Sequence, residues 1–192
     1  IHALRRNVNL NILLFNNRIY GLTKGQYSPT SEVGKVTKST PMGSVDAPFN
    51  PLSVALGAEA SFVARTHDLD RKHMQETFKA AHAHRGASFV EIYQNCNVFN
   101  DGAFDDVTGR EKRLEHMIDL HHGEPIRFGV DGSRGVIMGS DGQLRLVDVA
   151  DVGEDAFGFP ECLGARRQRG ARDGEVAGGA LVRGERHPVG MQ

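Results

Sequence analysis

The sequence predicts an α/β fold in which helices cross over between the strands of a parallel sheet, followed by a small β-rich extension. Three apolar segments have the composition of strands, at 9–15, 61–65 and 87–93, and helical patterns separate the second from the first and from the third. Strand and helix alternating in this way are typical of parallel strands joined by crossover helices. From residue 126 the pattern changes to short apolar runs around Asp-Gly pairs, which favour hairpins.

The first strand follows what resembles the last turns of a helix, residues 1–7, where basic residues lie near the end. This beginning predicts that the sequence starts inside a larger protein. The strand 9–15 stops at Asn16 and Asn17, and asparagine is a poor strand former and a good turn former. A long polar segment, 16–50, comes next, and a loop of that length is usually functional or disordered.

Helix ends are marked by local chemistry. Asn50 before Pro51 predicts a capped helix from 51 to about 58. Asp68 or Asp70 is expected to cap the next helix, which carries apolar residues at helical spacing and ends before Arg85-Gly86.

The C-terminal part is expected to differ in secondary structure. We predict a polar loop at 95–109, a charged helix at 110–121 and short strands at 126–149. From residue 157 the chain is rich in arginine and glycine and lacks lysine. Such a tail is either disordered or, as a second hypothesis, translated out of frame from GC-rich DNA.

Bulk composition excludes several classes of function. The 192 residues suffice for one domain with a core, and 23 basic residues balance 24 acidic ones. That balance argues against nucleic acid as a partner, and no apolar run approaches the roughly 20 residues of a membrane helix. Two distant cysteines, Cys96 and Cys162, and no visible signal peptide favour a reducing, cytoplasmic location.

Asn16 and Asn17 lie at the predicted carboxyl end of a strand, where open parallel sheets bind their ligands. An amide oxygen is a hard, neutral ligand suited to Mg²⁺, and Mg²⁺ on a diphosphate needs few protein ligands. The alternative is an Asx turn, in which asparagine bonds its own backbone. The two asparagines alone leave both interpretations open.

The longer motifs carry a resemblance. ILLFNNRIYGLTKGQYSPTS, KSTPMGS, FNPLSVALGAEASFVART, FVEIYQNCNVFNDGAF and HGEPIRFG are similar to the β subunit of 2-oxoacid:ferredoxin oxidoreductases of the 2-oxoglutarate type. The resemblance extends to about residue 156 and implies a thiamine-diphosphate-binding fold. It divides the chain into the C-terminal part of the cofactor domain at 1–98, a β-subunit extension at 99–156 and the unmatched tail at 157–192.

The resemblance also implies roles for the residues after the first strand. Asn17 would bind Mg²⁺ through its side chain and Ile19 through its carbonyl, with a third ligand from an upstream Gly-Asp-Gly motif. The diphosphate would be lined by Asn16, Tyr20 and Gly21. The 2-oxoacid would face Leu22 and Lys24, since lysine suits a substrate carboxylate. Lys24 could equally be a solvated loop residue.

Cys96 would be the fourth thiolate of a [4Fe–4S] cluster whose other three cysteines lie upstream. Taken alone, a cysteine after a strand is more often a small buried apolar residue. One thiolate cannot hold a cluster of four irons, so the 192 residues by themselves are expected to bind none. The histidine pairs 82/84 and 121/122 lack the i, i+4 spacing of a helical metal site and are expected at the surface.

The implied activity is oxidative decarboxylation of 2-oxoglutarate to succinyl-CoA, with electrons passed through the cluster to ferredoxin. The implied partners are an α subunit that supplies the activating glutamate, ferredoxin, the 2-oxoacid and CoA, without nucleic acid or membrane. Two alternatives stay open. One is another thiamine-diphosphate enzyme, acting on pyruvate or decarboxylating without oxidation. The other is an inactive, truncated product.

Overall fold

A computed structural model describes residues 1–118 and 125–152. The chain separates into two compact units, Ile1–Lys112 and Arg113–Gln192. The tail at 157–192 with Cys162, and the pair His121-His122, lie outside the described residues. The domain boundaries expected after residues 98 and 156 concern the family's own organisation and stay predictions.

The first unit contains four helices and five strands within the described residues, in the following chain order: α1 His2–Arg5, β1 Leu10–Asn16, β2 Ile19–Tyr20, β3 Gln26–Tyr27, α2 Pro51–Gly57, β4 Phe62–His67, α3 Arg71–Ala83, β5 Ala87–Tyr93 and α4 Asp105–Thr108. The three strands β1, β5 and β4 form one parallel sheet in that spatial order. The predicted fold class is therefore confirmed.

The helices cover both faces of this sheet. On one face α3 packs its apolar side against Ala64, Val90 and Ile92. On the other, α1 and α2 enclose Ala87 and the side chain of Phe89. Because strand residues alternate between faces, the central strand β5 is buried on both and can be apolar almost throughout.

The helix caps follow the predicted local chemistry. Asn50 Oδ1 accepts hydrogen bonds from the amides of Leu52 (3.1 Å) and Ser53 (3.2 Å) at the start of α2. Of the two candidate caps of α3, Asp70 is the one used, accepting from the His73 amide at 3.0 Å. Side-chain caps satisfy amides that the first helical turn leaves without partners.

Three sequence expectations need correction. The segment 16–50 is not all loop, because β2 and β3 pair antiparallel through Ile19 and Tyr27. The loop expected at 95–109 contains α4, whose Val107 is buried. The charged helix expected at 110–121 is only α5, Arg113–His116, since residues 110–112 form a turn; residues 119–121 lie outside the described part.

The second unit, taken by itself, contains α5, then β6 Arg127–Phe128, β7 Arg134–Met138, β8 Leu144–Asp148 and α6 Val149–Val152. Its strands form an antiparallel sheet in the order β6-β7-β8. Gly132 and Gly142 have positive φ angles of 69° and 74°, as turns require. The predicted β-rich extension with two Asp-Gly turns is confirmed. None of the helices in the parts of the chain that the structure describes could span a bilayer.

Candidate functional site

The carboxyl ends of the three parallel strands bring polar residues to one edge of the sheet. Asn16 ends β1, Tyr93 ends β5 and His67 ends β4, and Tyr93 is in register with both of the others. Backbone bonds continue past the strands, since the Gln94 amide donates to the Asn16 carbonyl and the Asp68 amide to that of Tyr93, each at 3.0 Å. Asn17 and the segment before Cys96 therefore leave the sheet side by side.

Asn16 has a fully engaged amide oxygen. Its side chain is buried, and Oδ1 accepts from Thr30 Oγ1 at 2.7 Å and from the Arg18 amide at 3.1 Å. Its Nδ2 donates to Glu91 Oε1 at 2.7 Å. An amide oxygen with two donors has used both lone pairs, so Asn16 Oδ1 has no lone pair to offer a metal.

Glu91 and Arg65 form a buried ion pair beneath Asn16. Glu91 Oε2 accepts from Arg65 Nε and Nη2, both at 2.8 Å, and the two residues are 1% and 5% exposed. The guanidinium also lies over the Tyr93 ring, 4.7 Å from its centroid. A buried charge needs both a counter-charge and hydrogen bonds, and this pair has both.

The side-chain amide of Asn17 is less buried and makes fewer hydrogen bonds than that of Asn16. It is only partly buried, and its Oδ1 accepts from the Ile19 amide at 3.2 Å. That bond forms the Asx turn that the sequence left open as an alternative, and it uses one of two lone pairs, so it does not exclude a ligand. The turn is sharp because Arg18 between them has a left-handed φ of 54°. Ile19 is only 4% exposed as a whole residue, and because its side chain is apolar, a metal ligand from Ile19 would have to be its backbone carbonyl.

The residues after β2 form a tight, solvent-facing turn. The Lys24 amide donates to Gly21 O and the Gly25 amide to Tyr20 O, each at 3.0 Å. Leu22 is 100% exposed, Tyr20 is half exposed and Lys24 is exposed with a left-handed φ of 65°. The side chains expected to meet the 2-oxoacid are thus presented outward, where a second molecule can reach them.

Cys96 lies in the loop after β5 and carries a free, partly buried thiol. Its backbone pairs with that of Asn100, whose backbone amide donates to Cys96 O at 2.9 Å. Asn95 fixes the other end, donating to Asp101 Oδ1 at 2.7 Å and accepting from the Gly102 amide at 3.0 Å. Cys96 is therefore held in a defined loop rather than in the apolar core.

The structure adds residues that the sequence analysis did not single out. Glu91 and Arg65 had a signal, because charges inside strands buried on both faces need a partner, but their pairing depends on strand register. Asn100 and Phe99 had no such signal in the sequence, since an amide and an aromatic ring are common in polar loops. Phe99 covers the turn after β2, and a Cβ added to Gly25 would lie 3.1 Å from its ring.

One carboxylate near the site has a shifted pKa. Partial burial, the largest single influence, raises the pKa of Glu32, but hydrogen bonds from its own backbone and from Lys35 bring it below the usual value overall. Lys35 Nζ lies 3.0 Å from Glu32 Oε1 and also donates to Asn100 Oδ1. Glu32 therefore stays ionised at neutral pH and keeps Lys35 in place.

The donor set was tested against the groups that the resemblance implies. Within residues 1–118 and 125–152 no three His, Cys, Asp or Glu side chains gather into a metal site. What the edge does offer is one amide oxygen, Asn17 Oδ1, and neighbouring backbone carbonyls. Such neutral oxygens fit an Mg²⁺ ion that takes its remaining ligands from a diphosphate, water and one carboxylate. A single thiol, Cys96, fits one corner of a cluster and no more.

Comparison with known proteins gives the class first. The family model described as thiamine pyrophosphate enzyme, C-terminal TPP binding domain, matches residues 1–92. That range covers the whole parallel sheet up to Ile92 and includes both asparagines at its edge. The first unit is therefore an α/β domain of the kind that binds thiamine diphosphate.

Individual proteins of known function resemble the chain over a longer range. The chain is 61% identical over 155 residues to the 2-oxoglutarate oxidoreductase subunit KorB of Mycobacterium tuberculosis, covering 81% of this chain and 41% of that protein. It is 40% identical over 96 residues to the 2-oxoglutarate synthase subunit KorB of Archaeoglobus fulgidus, covering 50% and 36%. A solved 2-oxoglutarate:ferredoxin oxidoreductase from Magnetococcus marinus, with 2-oxoglutarate, coenzyme A and succinyl-CoA bound, matches with a TM-score of 0.51 and 42% identity over 53% of this chain and 35% of that one.

The resemblance drawn from the motifs is thereby confirmed: the chain is similar, over the matched part, to β subunits of 2-oxoacid:ferredoxin oxidoreductases. It spans about two fifths of the length of the mycobacterial relative.

Proposed function

We propose that this chain is the segment of a 2-oxoglutarate:ferredoxin oxidoreductase β subunit that holds the magnesium diphosphate and one corner of the iron–sulfur cluster. The observation that carries the proposal is the edge of the sheet, where Asn17 and Cys96 leave neighbouring strands. Asn100 joins their two loops, since its side-chain Nδ2 donates to Asn17 O and its backbone amide donates to Cys96 O, each at 2.9 Å. A cofactor and an electron acceptor need this kind of proximity.

Each group has a defined task in the proposal. Thiamine diphosphate supplies the nucleophilic carbon and electron sink for decarboxylation of the 2-oxoacid, and the cluster carries the electrons away. Asn17 Oδ1 and the Ile19 carbonyl hold Mg²⁺, while Tyr20 and Gly21 line the diphosphate. Asn16 was expected to line the diphosphate as well, but its buried side chain is already bonded to Glu91, Thr30 and the Arg18 amide, so its proposed role is to support this loop. Cys96 supplies one thiolate, and the remaining ligands come from sequence upstream of Ile1.

The proposal extends to the substrate and to the partners. Lys24, exposed and held in a tight turn beside Leu22, is a partner for the second carboxylate that 2-oxoglutarate has and pyruvate lacks. The α subunit, CoA and ferredoxin complete the reaction, in a reducing cytoplasm. Replacing Lys24 by alanine should raise KM for 2-oxoglutarate much more than for pyruvate. Equal changes for the two substrates would place Lys24 outside the acid-binding site.

The magnesium assignment is tested by Asn17→Ala in the full-length β subunit assembled with its α subunit. Even outer-shell partners of a bound metal are worth about 10–100-fold in affinity, so losing a direct ligand should weaken binding of Mg²⁺ and thiamine diphosphate by at least about tenfold. Titration calorimetry measures this. Gln75→Ala, which removes an exposed amide on α3, is the matched control. Unchanged cofactor affinity in Asn17→Ala would remove Asn17 from the site.

The cluster assignment is tested by Cys96→Ser, with Cys162→Ser as a matched control in the unmatched tail. We expect Cys96→Ser alone to lower the iron content and the characteristic visible absorbance of the purified complex. A full complement of iron together with normal reduction of ferredoxin would reject Cys96 as a ligand.

A further inference from the structure

Asn100 lies where three loops meet. It is 6% exposed, although it belongs to a loop whose other side chains, at 97–99, are exposed. Its Nδ2 donates to Asn17 O at 2.9 Å and to Arg18 O at 3.3 Å, and its Oδ1 accepts from Lys35 Nζ. Its backbone amide bonds Cys96 O at 2.9 Å. One residue therefore connects the Asn17 turn, the Lys35 loop and the Cys96 loop.

The chemistry of these contacts requires an amide. The Asn17 carbonyl needs a donor and the lysine ammonium needs an acceptor, so the site needs both functions on one short side chain. Arg18 O, the second carbonyl that Asn100 contacts, also accepts from Ser31 Oγ at 2.6 Å. Aspartate would place a carboxylate against two carbonyl oxygens. Alanine would remove the donor to Asn17 O in a part-buried place, which costs more than the lost bond alone, while Arg18 O would keep its bond from Ser31 Oγ.

A second contact joins the same two loops. The Phe99 ring lies against the turn after β2, 3.7 Å from where a Cβ on Gly21 would be and 3.1 Å from one on Gly25. The Cys96 loop and the segment from Asn17 to Gly25 therefore touch at two points, one polar and one aromatic. Ordering either segment restricts the other.

We propose that Asn100 is a positioning residue that couples the two cofactor sites, so that anchoring Cys96 in the cluster strengthens binding of magnesium thiamine diphosphate at Asn17. This inference rests on the proposed function, because it takes Asn17 and Cys96 as ligands. Bonding Cys96 to the cluster adds a covalent anchor to residues 96–100 beside their hydrogen bonds, and the donor that holds the Asn17 and Arg18 carbonyls is then more often in place. Without that anchor, binding at the Asn17 turn must order both loops.

Thermodynamic linkage makes the coupling reciprocal. If the cluster raises the affinity for magnesium thiamine diphosphate by some factor, the cofactor must stabilise the bound cluster by the same factor. Two hydrogen bonds of ordinary strength carry this coupling, so we expect a factor of about ten, within the usual range of about 5–150-fold.

The experiment uses the full-length β subunit in complex with its α subunit, with the cluster intact or removed by chelation under reducing conditions. Titration calorimetry gives Kd for thiamine diphosphate at saturating Mg²⁺. The rate of iron release to a chelator, with and without the cofactor, gives the reciprocal readout. The wild type is compared with Asn100→Ala and with Asn97→Ala, which removes an exposed amide from the same loop.

In the wild type and in Asn97→Ala, cluster removal should raise Kd about tenfold, and bound cofactor should slow iron release. In Asn100→Ala, Kd should be raised already with the cluster present and should change less than twofold when the cluster is removed. A purely structural role of Asn100 would weaken binding by the same factor with and without the cluster. The ratio of the Kd without the cluster to the Kd with it would then stay as in the wild type. If Asn100→Ala does not assemble, Lys35→Met, which removes the ammonium that bonds both Asn100 Oδ1 and Glu32 but leaves the Asn100 donors, should lower the ratio without abolishing it.

The outcomes separate this inference from the proposed function. If the wild-type complex binds no thiamine diphosphate, or if Cys96→Ser keeps all its iron, the proposed function fails and the coupling fails with it. The coupling alone is rejected if thiamine diphosphate and the cluster both bind as proposed but the wild-type Kd does not change when the cluster is removed. It is also rejected if Asn100→Ala keeps the full tenfold difference in Kd.

Discussion

Removing the carboxylate of Glu91 should destabilise the first unit strongly, although the residue lies in an apolar strand. Glu91→Gln keeps the size and shape of the side chain, so it creates no cavity. It removes the negative charge that accepts two bonds of 2.8 Å from Arg65. It also turns one acceptor into a donor, which then faces either the Arg65 guanidinium or Asn16 Nδ2.

The magnitude follows from burial. Arg65 is 5% exposed, so without Glu91 its positive charge has neither water nor a counter-charge. Breaking a buried ion pair by removing one partner costs about 3–5 kcal/mol. A domain of ordinary stability has about 5–15 kcal/mol in total, so Glu91→Gln should remove a large part of it. Replacing both partners by apolar residues of similar size, Glu91→Leu with Arg65→Met, should cost less than either single change, since no charge is left buried.

Urea unfolding of the cofactor-free subunit, followed by circular dichroism, measures these free energies if the slopes of the transitions agree. The wild type, Glu91→Leu, Arg65→Met and the double variant form a double-mutant cycle, and a coupling energy well above about 1 kcal/mol is expected for Glu91 with Arg65. The reasoning is refuted if Glu91→Gln lies within about 1 kcal/mol of the wild type, or if the double variant loses the sum of the two single losses.

Three further predictions concern the stability of the first unit. Gly25→Ala should cost about 1–3 kcal/mol, because Gly25 has a φ of 94° and its new Cβ would crowd Phe99; thermal unfolding checks this, and a further Phe99→Ala change should recover only the part due to crowding. Asn50→Ala should cost about 1 kcal/mol through loss of the α2 cap, while serine at 50 keeps most of it; equal urea midpoints for alanine and serine would contradict capping. Burial lowers the pKa of His84, whose Nε2 lies 2.7 Å from Ser61 Oγ, so the folded state favours the neutral ring. The unfolded chain therefore binds more protons as the pH falls below about 6.5, and stability should decline from there down to the lowered pKa of the folded state; His84→Gln should flatten that slope in unfolding curves taken between pH 5 and pH 8.

Local and periodic features of the fold could be predicted from the sequence. Strand β5 was predicted at its observed bounds, because a strand buried on both faces is apolar over most of its length. The caps Asn50 and Asp70 act within three residues of themselves, so their chemistry is visible in the sequence. The pairing of Ile19 with Tyr27 was missed because two-residue strands have no period to detect.

The candidate site also has some features that the sequence could predict and others that it could not. The roles of Asn17 and Cys96 were implied by resemblance over long motifs, not by the residues alone. The network of Asn16, Glu91 and Arg65 depends on the register that sets three strands side by side, and one sequence does not fix a register between strands 26 and 75 residues apart. Asn100 was missed for a related reason, since its contacts lie 82 and 83 residues away along the chain.

The two adjacent asparagines divide the work between them. Asn16 points into the sheet, where Glu91, Thr30 and the Arg18 amide hold its side chain. Asn17 is partly open and keeps a lone pair on Oδ1. Because successive strand residues face opposite ways, one asparagine at the end of β1 could not both anchor the turn and present a ligand. Asn16→Ala should therefore weaken cofactor binding indirectly, by loosening the turn, and Asn16→Asp should do so more severely, because a second carboxylate would face Glu91. Calorimetry on the full-length complex, with unfolding measured in parallel, tests this division. Asn16→Asp should lose both stability and affinity, whereas Asn17→Ala should lose affinity with only the stability of one turn bond, about 1 kcal/mol. A reversed pattern would mean that the assigned roles of the two residues must be exchanged.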